Sequence, residues 1–233
     1  MAKQWIAIVL AAGRGPNDPM AKAYGVSHKC ALPVNGVPML QRVVDALRQS
    51  RSVAAISISI EDPAIVLAAL AKQDPGISIM ASERSAPLSA IVAIRKHATY
   101  PVLLTTADHA LLTPGMIDYF CGEAGRNGAD FSAGLARAET VLAAYPQSVR
   151  TFFRLGRDRV SGCNLFSISN ENGLRILEKW QYLEQSRKKP WRLVAAFGWL
   201  ALILFALGLL SLDGAFRTVS TRLGLVAKPV LLP

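Results

Sequence analysis

Residues 6–15 of this 233-residue chain read IAIVLAAGRG. The apolar run from Ile6 to Ala11 has the length of one buried strand, and the segment Gly13-Arg14-Gly15-Pro16 stops it. A short apolar strand that leads directly into a glycine-rich turn is typical of the first βα unit of an open parallel sheet. The stretch therefore predicts an α/β fold with a functional loop at the carboxyl end of its first strand.

The rest of the chain alternates apolar strands with helices. The predicted strands after the first are 53–60, 77–80, 101–105, 131–136 and 160–167, and the predicted helices are 37–48, 63–71, 88–97, 114–124 and 172–185. Near-continuous hydrophobic strands between helices favour a mostly parallel sheet that is covered on both faces. We expect one α/β domain over residues 1–233 with an elaborated helical C-terminal third.

Composition narrows the class of protein and of partner. With 52% hydrophobic and 18% charged residues, the chain is neither a coiled coil nor a disordered protein. The net charge is +10, and it is uneven: 13 basic and 11 acidic residues precede position 150, against 13 and 5 from there onward. The second part should meet a polyanion, a phosphorylated small molecule or an anionic membrane surface. Nucleic acid is not expected, because the basic residues are not interleaved with aromatic ones.

The cysteines and the N-terminus predict the compartment. Cys30, Cys121 and Cys163 are odd in number and lack metal-binding spacing, which argues against a disulfide framework or a zinc site. The first apolar run is too short for a secretory signal. We expect a cytoplasmic protein.

One apolar segment, residues 193–212, is long enough to span a membrane. Residues 193–212 contain no charge and follow the basic stretch 187–192, RKKPWR. Their length would allow a membrane span with the cations on the cytoplasmic side. We expect instead a helix that packs on or beside the α/β core and at most touches a membrane surface.

The loop after the first strand is suited to binding phosphate. Small residues in it let backbone N–H groups approach phosphate oxygens, and Arg14 adds positive charge. The nucleotide-binding stretch comprises Leu10, Ala11, Ala12, Gly13 and Gly15. It matches neither the dinucleotide fingerprint nor a Walker A loop.

A second segment extends this motif into a family resemblance. Lys29 precedes residues 32–40, LPVNGVPML. The loop, the lysine and this segment together resemble the signature of nucleotide-sugar-type nucleotidyltransferases, most closely the molybdenum-cofactor guanylyltransferase-like branch and then the methylerythritol-phosphate cytidylyltransferases. The resemblance implies a Rossmann-like (GT-A-like) fold that transfers a nucleotidyl group from an NTP to a phosphorylated or hydroxylated acceptor and releases pyrophosphate. In that reaction Arg14 and Lys29 would hold the phosphates.

Asp108 is the candidate metal ligand. It ends the segment 103–108, LLTTAD, and thus lies at the carboxyl end of a predicted buried strand. A carboxylate there is suited to bind Mg²⁺ that bridges the NTP phosphates. The resemblance implies the same role.

Two further regions are candidates for the base and the acceptor. By resemblance to the cytidylyltransferases, a serine at the start of the helix after the third strand contacts the base; Ser89 is the first choice and Ser85 the competing one. Simple capping of that helix is an equally good interpretation. The resemblance also places Asn164 on the acceptor side, and Arg154 would hold a small anionic acceptor.

Three functions remain open at this stage. We favour an Mg²⁺-dependent nucleotidyltransferase that acts on an NTP and a small anionic acceptor. The resemblance also implies a second metal-binding carboxylate after a late strand, whereas no acidic residue follows Asp213. A non-catalytic nucleotide-binding module is therefore one alternative. The other, which the apolar segment 193–212 suggests, is a membrane-associated enzyme that acts on a lipid precursor.

Overall fold

The structure is a computed structural model that describes residues 4–13, 18–71, 75–184 and 198–233. The chain forms two compact units, residues 1–122 and 123–233. The strands of the first unit are β1 (Trp5–Leu10), β2 (Pro33–Val34), β3 (Val37–Pro38), β4 (Val53–Ile60), β5 (Ile77–Ala81) and β6 (Val102–Thr106). Its helices are α1 (Pro19–Ala23), α2 (Met39–Gln49), α3 (Pro63–Ala69), α4 (Ala86–His97) and α5 (Pro114–Arg126), whose last turn belongs to the second unit.

The sheet of the first unit determines where a ligand can bind. Its strand order is β6-β1-β4-β5, and each of these pairings is parallel. The strands β4 and β5 follow β1 on one side, and the chain then returns to add β6 on the other. This reversal makes a topological switch point between β1 and β6, and ligands of open α/β sheets bind at the carboxyl ends of such strands.

Both central strands are apolar because the sheet is buried on both faces. Ala7, Ile8 and Val9 of β1 and Leu103 of β6 have no exposed surface. The near-continuous hydrophobic runs that predicted these strands are the expected signature of a covered parallel sheet.

Three helices of the first unit, α1, α3 and α5, begin at residues whose side chains cap them. The Asp18 side chain accepts the N–H groups of Met20 and Ala21 at the start of α1, and Asp62 caps α3 in the same way. At α5, the Thr113 hydroxyl accepts the Met116 N–H at 3.2 Å. Since Thr113 performs this capping, Asp108 is not needed for it.

The segment predicted as a helix from residue 37 begins as a hairpin. Asn35 and Gly36 have φ angles of 50° and 76°, and they form the two-residue connection between β2 and β3. Asparagine and glycine tolerate this left-handed conformation, which tight hairpins require at both positions. Val37 pairs with Val34 in this hairpin, so α2 starts two residues later, at Met39.

The four sheet strands of the second unit have mixed pairing. Its strands are β7 (Phe131–Arg137), β8 (Phe153–Leu155), β9 (Asp158–Ile168) and β10 (Ala227–Leu232), and its helices are α6 (Ala138–Ala144), α7 (Leu174–Glu184), α8 (Trp199–Ala206) and α9 (Leu212–Leu223). Strand β7 pairs in parallel with β10 and antiparallel with β9, which also pairs antiparallel with β8. Asp130 fastens the start of β7, because it accepts the Val226 N–H at 2.7 Å and the Asn170 amide at 2.7 Å. These bonds, the first above all, lower the pKa of Asp130.

The predicted α/β fold with mostly parallel strands is confirmed, and the assignment of residues 1–233 to one domain stays a prediction. The helix expected over 193–212 differs in the structure. Residues 193–197 lie outside the described residues, and α8 ends at Ala206. Gly208 then has a φ of 68°, and Ser211 caps a new helix by accepting the Gly214 N–H. Within the described ranges, no helix is both long enough and apolar enough to cross a membrane.

Candidate active site

Polar residues follow the carboxyl ends of all four parallel strands of the first unit. Gly13 lies after β1, Glu61 after β4, Ser85 after β5 and Asp108 after β6. Because the strands are parallel, these residues share one edge of the sheet, which we call the carboxyl edge. This is the edge at which a nucleotide binds in an open α/β sheet.

Lys29 and Asp108 form an ion pair at the carboxyl edge. Lys29 begins a 3₁₀ turn, Lys29–Ala31, and its Nζ lies 2.6 Å from Asp108 Oδ2. The other carboxylate oxygen, Oδ1, accepts the Thr106 hydroxyl at 2.6 Å. Both charged side chains are about one-third exposed, 34% and 33%, so a ligand can reach them. The structure thus brings together two residues that were predicted from segments about 80 positions apart in the sequence.

The Asp108 carboxylate is held in its ionised form. Burial raises the pKa of Asp108, but hydrogen bonds from Lys29 and Thr106 and the charge of Lys29 lower it further, so the pKa lies below its ordinary value. An ionised carboxylate next to a cation can exchange partners with a metal–phosphate complex, since the carboxylate can pair with the metal and the cation with the phosphate.

The Gly13 N–H binds the carboxylate of Glu61 in the structure. It donates to Glu61 Oε1 at 3.0 Å and to Oε2 at 3.3 Å. Glu61 Oε1 also lies 2.8 Å from His28 Nε2. A Cβ at position 13 would lie 2.9 Å from the His28 ring and 3.1 Å from the Glu61 carboxylate, so only glycine permits this close approach. Arg14 and Gly15 lie outside the described residues.

Glu61 was not predicted as a site residue from the sequence. The signal that could have found it is the one that identified Asp108, an acidic residue directly after a buried strand. Glu61 follows β4, the strand that pairs with β1 on the side opposite β6. Its carboxylate therefore reaches the same loop from the other side.

The chain passes from β1 into the loop through Leu10, Ala11 and Ala12. The Ala11 N–H donates to the Ser59 carbonyl at 2.9 Å, and the Leu10 carbonyl accepts the Ala107 N–H at 3.0 Å. The N–H of Ala11 is thus used within the sheet. Direct phosphate contact by these three residues stays a prediction.

The two candidate serines differ in what their hydroxyls do. Ser89 is 3% exposed, and its Oγ accepts the Glu83 N–H at 2.8 Å and donates to the Ser85 carbonyl at 3.0 Å. Ser85 is the N-cap residue of α4, but its side chain makes no capping bond. Its buried Oγ has no hydrogen-bond partner in the part of the chain that the structure describes. The Ser89 hydroxyl is thus bonded to the segment that precedes α4, and contact of either serine with a base stays a prediction.

The predicted acceptor residues lie in the second unit. Asn164 has a φ of 49° in β9, where the pairing with β7 is irregular between Ala133 and Leu135. The exposed Arg154 lies against Gly208 and donates to the Gly156 carbonyl at 3.5 Å. The roles of Asn164 and Arg154 toward an acceptor stay predictions.

The cysteine in β9 has a packing role. Cys163 is 3% exposed, and burial raises the pKa of its thiol. A buried thiol that keeps its proton is a weak nucleophile. The burial of Cys163 agrees with a site whose reaction uses no cysteine nucleophile.

Metal binding by Asp108 at the carboxyl edge stays a prediction. Among the described residues, no group of three or more histidine, cysteine or acidic side chains is arranged to hold a metal ion. Mg²⁺ is commonly bound by one or two carboxylates together with substrate phosphates and several waters. The ionised Asp108 fits this mode of binding, in which the nucleotide brings most of the ligands.

Comparison with known families agrees with this geometry. The MobA-like NTP transferase domain family matches residues 7–160, a range that includes Gly13, Lys29, Glu61, Ser85 and Asp108. The chain belongs to this family. The curated proteins include no match to the sequence of this MobA-like domain.

Solved structures similar to this MobA-like domain include transferases and synthetases. A hypothetical transferase from Thermus thermophilus is 26% identical with a TM-score of 0.81, and the match covers 100% of this chain and 94% of that one. CMP:2-keto-3-deoxy-manno-octonic acid synthetase, solved with CTP, is 12% identical with a TM-score of 0.60, covering 99% and 90%. The 4-diphosphocytidyl-2C-methyl-D-erythritol synthase of Anaerococcus prevotii is 15% identical with a TM-score of 0.54, covering 77% and 76%. The CMP:2-keto-3-deoxy-manno-octonic acid synthetase and the 4-diphosphocytidyl-2C-methyl-D-erythritol synthase share the fold with this chain.

Proposed function

We propose that this MobA-like domain transfers a nucleotidyl group from an NTP to a small phosphorylated or hydroxylated acceptor. An acceptor oxygen forms a bond to the α-phosphorus, and the bond from that phosphorus to the bridging oxygen of the β-phosphate breaks. Where the attacking oxygen belongs to a hydroxyl group, its proton passes to water. The leaving group is pyrophosphate, which takes the electron pair of the broken bond. The observation that carries the proposal is the Lys29–Asp108 ion pair at the switch point of the sheet.

Lys29 would neutralise negative charge on the triphosphate. Nucleotidyl transfer depends on positioning and charge neutralisation rather than on a covalent intermediate. The Lys29 ammonium is held at the carboxyl edge by Asp108, so it is in place before the nucleotide arrives. As the phosphates bind, Lys29 exchanges its carboxylate partner for phosphate oxygens, and Arg14 of the adjoining loop adds a second cation.

Asp108 would hold Mg²⁺ together with the nucleotide. The metal supplies positive charge that offsets the charge developing on the leaving pyrophosphate. Transfer of Lys29 to the phosphates frees Asp108 Oδ2, while Thr106 keeps the carboxylate oriented through Oδ1. The site should consequently bind metal weakly without nucleotide.

Glu61 marks the position of a phosphate group. Its carboxylate occupies the Gly13 N–H, which is the donor that a phosphate-binding loop offers to its ligand. An incoming phosphate would replace this carboxylate at the Gly13 N–H. The displaced Glu61 carboxylate would remain hydrogen-bonded to His28.

The sequence signature supports a guanylyl transfer, and the likeness to cytidylyltransferases supports a cytidylyl transfer. The Ser85 hydroxyl, which is unpaired within the described ranges, is the proposed contact to the base or ribose, and Ser89 orders the segment that carries it. Asn164 and Arg154 are the proposed acceptor residues. The cytoplasm is the proposed location, in agreement with three free, buried cysteines.

A non-catalytic nucleotide-binding module is the second candidate. The observation in its favour is the Lys29–Asp108 ion pair itself, because binding of a nucleotide alone would already account for it. Such a module would bind NTP through Lys29 and the loop but would release no pyrophosphate.

A thermal-shift panel of the four NTPs, each with and without Mg²⁺, tests the proposal. A ligand that binds the folded state at a hundred times its Kd stabilises it by about 2.7 kcal/mol. We expect one NTP with Mg²⁺ to raise the Tm clearly above the others. If none of the four raises it, both candidates fail. Pyrophosphate release with a panel of sugar and polyol phosphates then separates the enzyme from the binding module.

A further inference from the structure

Helix α8 and the segment after it present an unusual number of apolar side chains to solvent. Trp199, Leu207 and Leu209 are 66%, 65% and 66% exposed, and Ile203 and Phe205 are 45% and 42% exposed. We call these five residues the apolar ridge. Five exposed apolar side chains within 11 consecutive residues are more typical of a docking site for a protein or a membrane than of an ordinary solvated face.

Cationic side chains lie at both ends of the apolar ridge. The guanidinium of Arg222 lies against Gly198, where a Cβ would collide with it. At the other end, Arg154 Nε lies 3.6 Å from the position that a Cβ of Gly208 would take. An apolar surface framed by cations is complementary to an interface that is apolar inside and negatively charged at its surface.

The helix that follows the ridge carries a pocket for an anion. Arg217, Thr218, Thr221 and Arg222 of α9 line an open pocket of about 280 Å³. The two guanidinium groups and the Thr221 hydroxyl are donors suited to a phosphate group, whereas the Thr218 hydroxyl donates to the Gly214 carbonyl at 2.8 Å. Arginine binds phosphate through two parallel N–H bonds.

We propose that the apolar ridge and the α9 pocket dock this chain on the surface of an anionic phospholipid bilayer. The ridge enters the region between headgroups and acyl chains, and Arg217 and Arg222 contact lipid phosphates. Helix α8 has eight residues, a length of about 12 Å, so it lies in the interface and does not span a hydrocarbon core of about 30 Å.

The charge distribution favours a bilayer over a second copy of the chain. The described cations at the ridge and in the α9 pocket are Arg154, Arg217 and Arg222. Residues from 150 onward carry 13 basic against 5 acidic side chains. Two copies that met through this surface would bring like charges together, whereas anionic lipids would neutralise them.

Co-sedimentation of the full chain with vesicles tests the proposal. Vesicles of phosphatidylcholine mixed with phosphatidylglycerol should bind the protein in a salt-sensitive manner, and vesicles of phosphatidylcholine alone should bind it much more weakly. Each arginine near an anionic surface contributes about 1 kcal/mol. The double variant Arg217→Gln/Arg222→Gln should therefore bind the anionic vesicles about 30-fold more weakly.

A second variant tests the ridge itself. Leu207→Ser/Leu209→Ser should reduce binding to the anionic vesicles by at least about tenfold, because two exposed apolar side chains no longer enter the interface. The charge-matched control is Lys96→Gln/Arg126→Gln and the apolar control is Leu67→Ser/Val149→Ser, since these exposed residues lie elsewhere. Both controls should bind like the wild type, and all variants should keep its Tm.

Two outcomes would overturn the proposal. One is equal binding of wild type and both test variants to anionic vesicles, or no binding by the wild type. The other is a wild-type dimer in sedimentation without lipid that Leu207→Ser/Leu209→Ser converts to monomer, which would make the ridge a contact between copies.

Discussion

The Lys29 ammonium lies 2.6 Å from the Asp108 carboxylate, at the ends of two different segments of the first unit. Each residue satisfies the charge of the other while no nucleotide is bound. An NTP with its metal ion carries both a negative and a positive partner, so it can replace this pair with two new ones. The pair is thus an internal substitute for the ligand.

Removal of Lys29 tests whether the pair serves binding or stability. A partly exposed salt bridge contributes at most about 1 kcal/mol to the free energy of unfolding. We expect Lys29→Ala to leave the Tm of the protein without ligand almost unchanged and to abolish the increase in Tm caused by NTP. Lys96→Ala, which removes another exposed lysine, should keep that increase. Equal NTP affinities of wild type and Lys29→Ala in calorimetry would contradict the role of Lys29.

Neutralisation of Glu61 should have the opposite effect on affinity. The Glu61 carboxylate competes with phosphate for the Gly13 N–H, so Glu61→Gln should bind NTP several-fold more tightly, up to about tenfold. Glu139→Gln removes an exposed carboxylate elsewhere and should leave the affinity unchanged. A loss of Mg²⁺-dependent binding in Glu61→Gln would show that Glu61 holds the metal instead.

Substitutions of the two serines at α4 should have different effects, one on NTP binding and the other on stability. Ser85→Ala removes a hydroxyl that has no partner in the described chain, and we expect weaker NTP binding at an unchanged Tm. Ser89→Ala leaves the Glu83 N–H without its acceptor and should lower stability by about 1 kcal/mol. Urea unfolding and calorimetry measure the two effects. A stable Ser89→Ala that binds NTP poorly would reverse this assignment.

The main elements of the fold could be predicted from the sequence because hydrophobic periodicity determines them. The strands β1, β4 and β6 are short segments rich in apolar and β-branched residues, and this pattern predicts their burial. The hairpin at Asn35 and Gly36 is a local turn that interrupts a helical pattern, so the pattern predicted the helix two residues too early. The short elements α1, α6 and β8 lack a period long enough to recognise.

The site was predictable only in part because pairing across the sheet is not visible in one sequence. Lys29 and Asp108 were predicted by their motifs, but their contact depends on the order of strands. Glu61 was missed because nothing in the sequence shows that β4 lies beside β1. The choice between Ser85 and Ser89 required the hydrogen bonds of Ser89, which only coordinates reveal.

Asp118 should govern part of the acid sensitivity of the first unit. Its Oδ1 accepts the hydroxyls of Ser50 and Ser52 at 2.6 and 2.9 Å and the N–H groups of Arg51 and Ser52. Burial raises the pKa of Asp118, but these hydrogen bonds lower it further, so the net pKa is below its ordinary value. Asp118→Ala should destabilise the protein at neutral pH by about 2 kcal/mol, and Asp118→Asn by less.

The sign of the pH dependence follows from the lowered pKa. The stabilisation is present above the pKa of an unfolded aspartate, about 3.9, and is lost as the pH falls through the lower pKa of the folded state. The Tm difference between wild type and Asp118→Ala should therefore shrink below about pH 4. A Tm difference that stays constant from neutral to acidic pH would contradict the role of the Asp118 charge.

The most direct test of the account is the NTP affinity of wild type and Asp108→Asn, measured by calorimetry with and without Mg²⁺. Asp108→Asn keeps the shape of the side chain and removes its charge, so the fold should persist. The account predicts that Mg²⁺ strengthens NTP binding to the wild type and has little effect on Asp108→Asn. An equal Mg²⁺ enhancement in both proteins would contradict it, because Asp108 would then be a turn residue without contact to the metal.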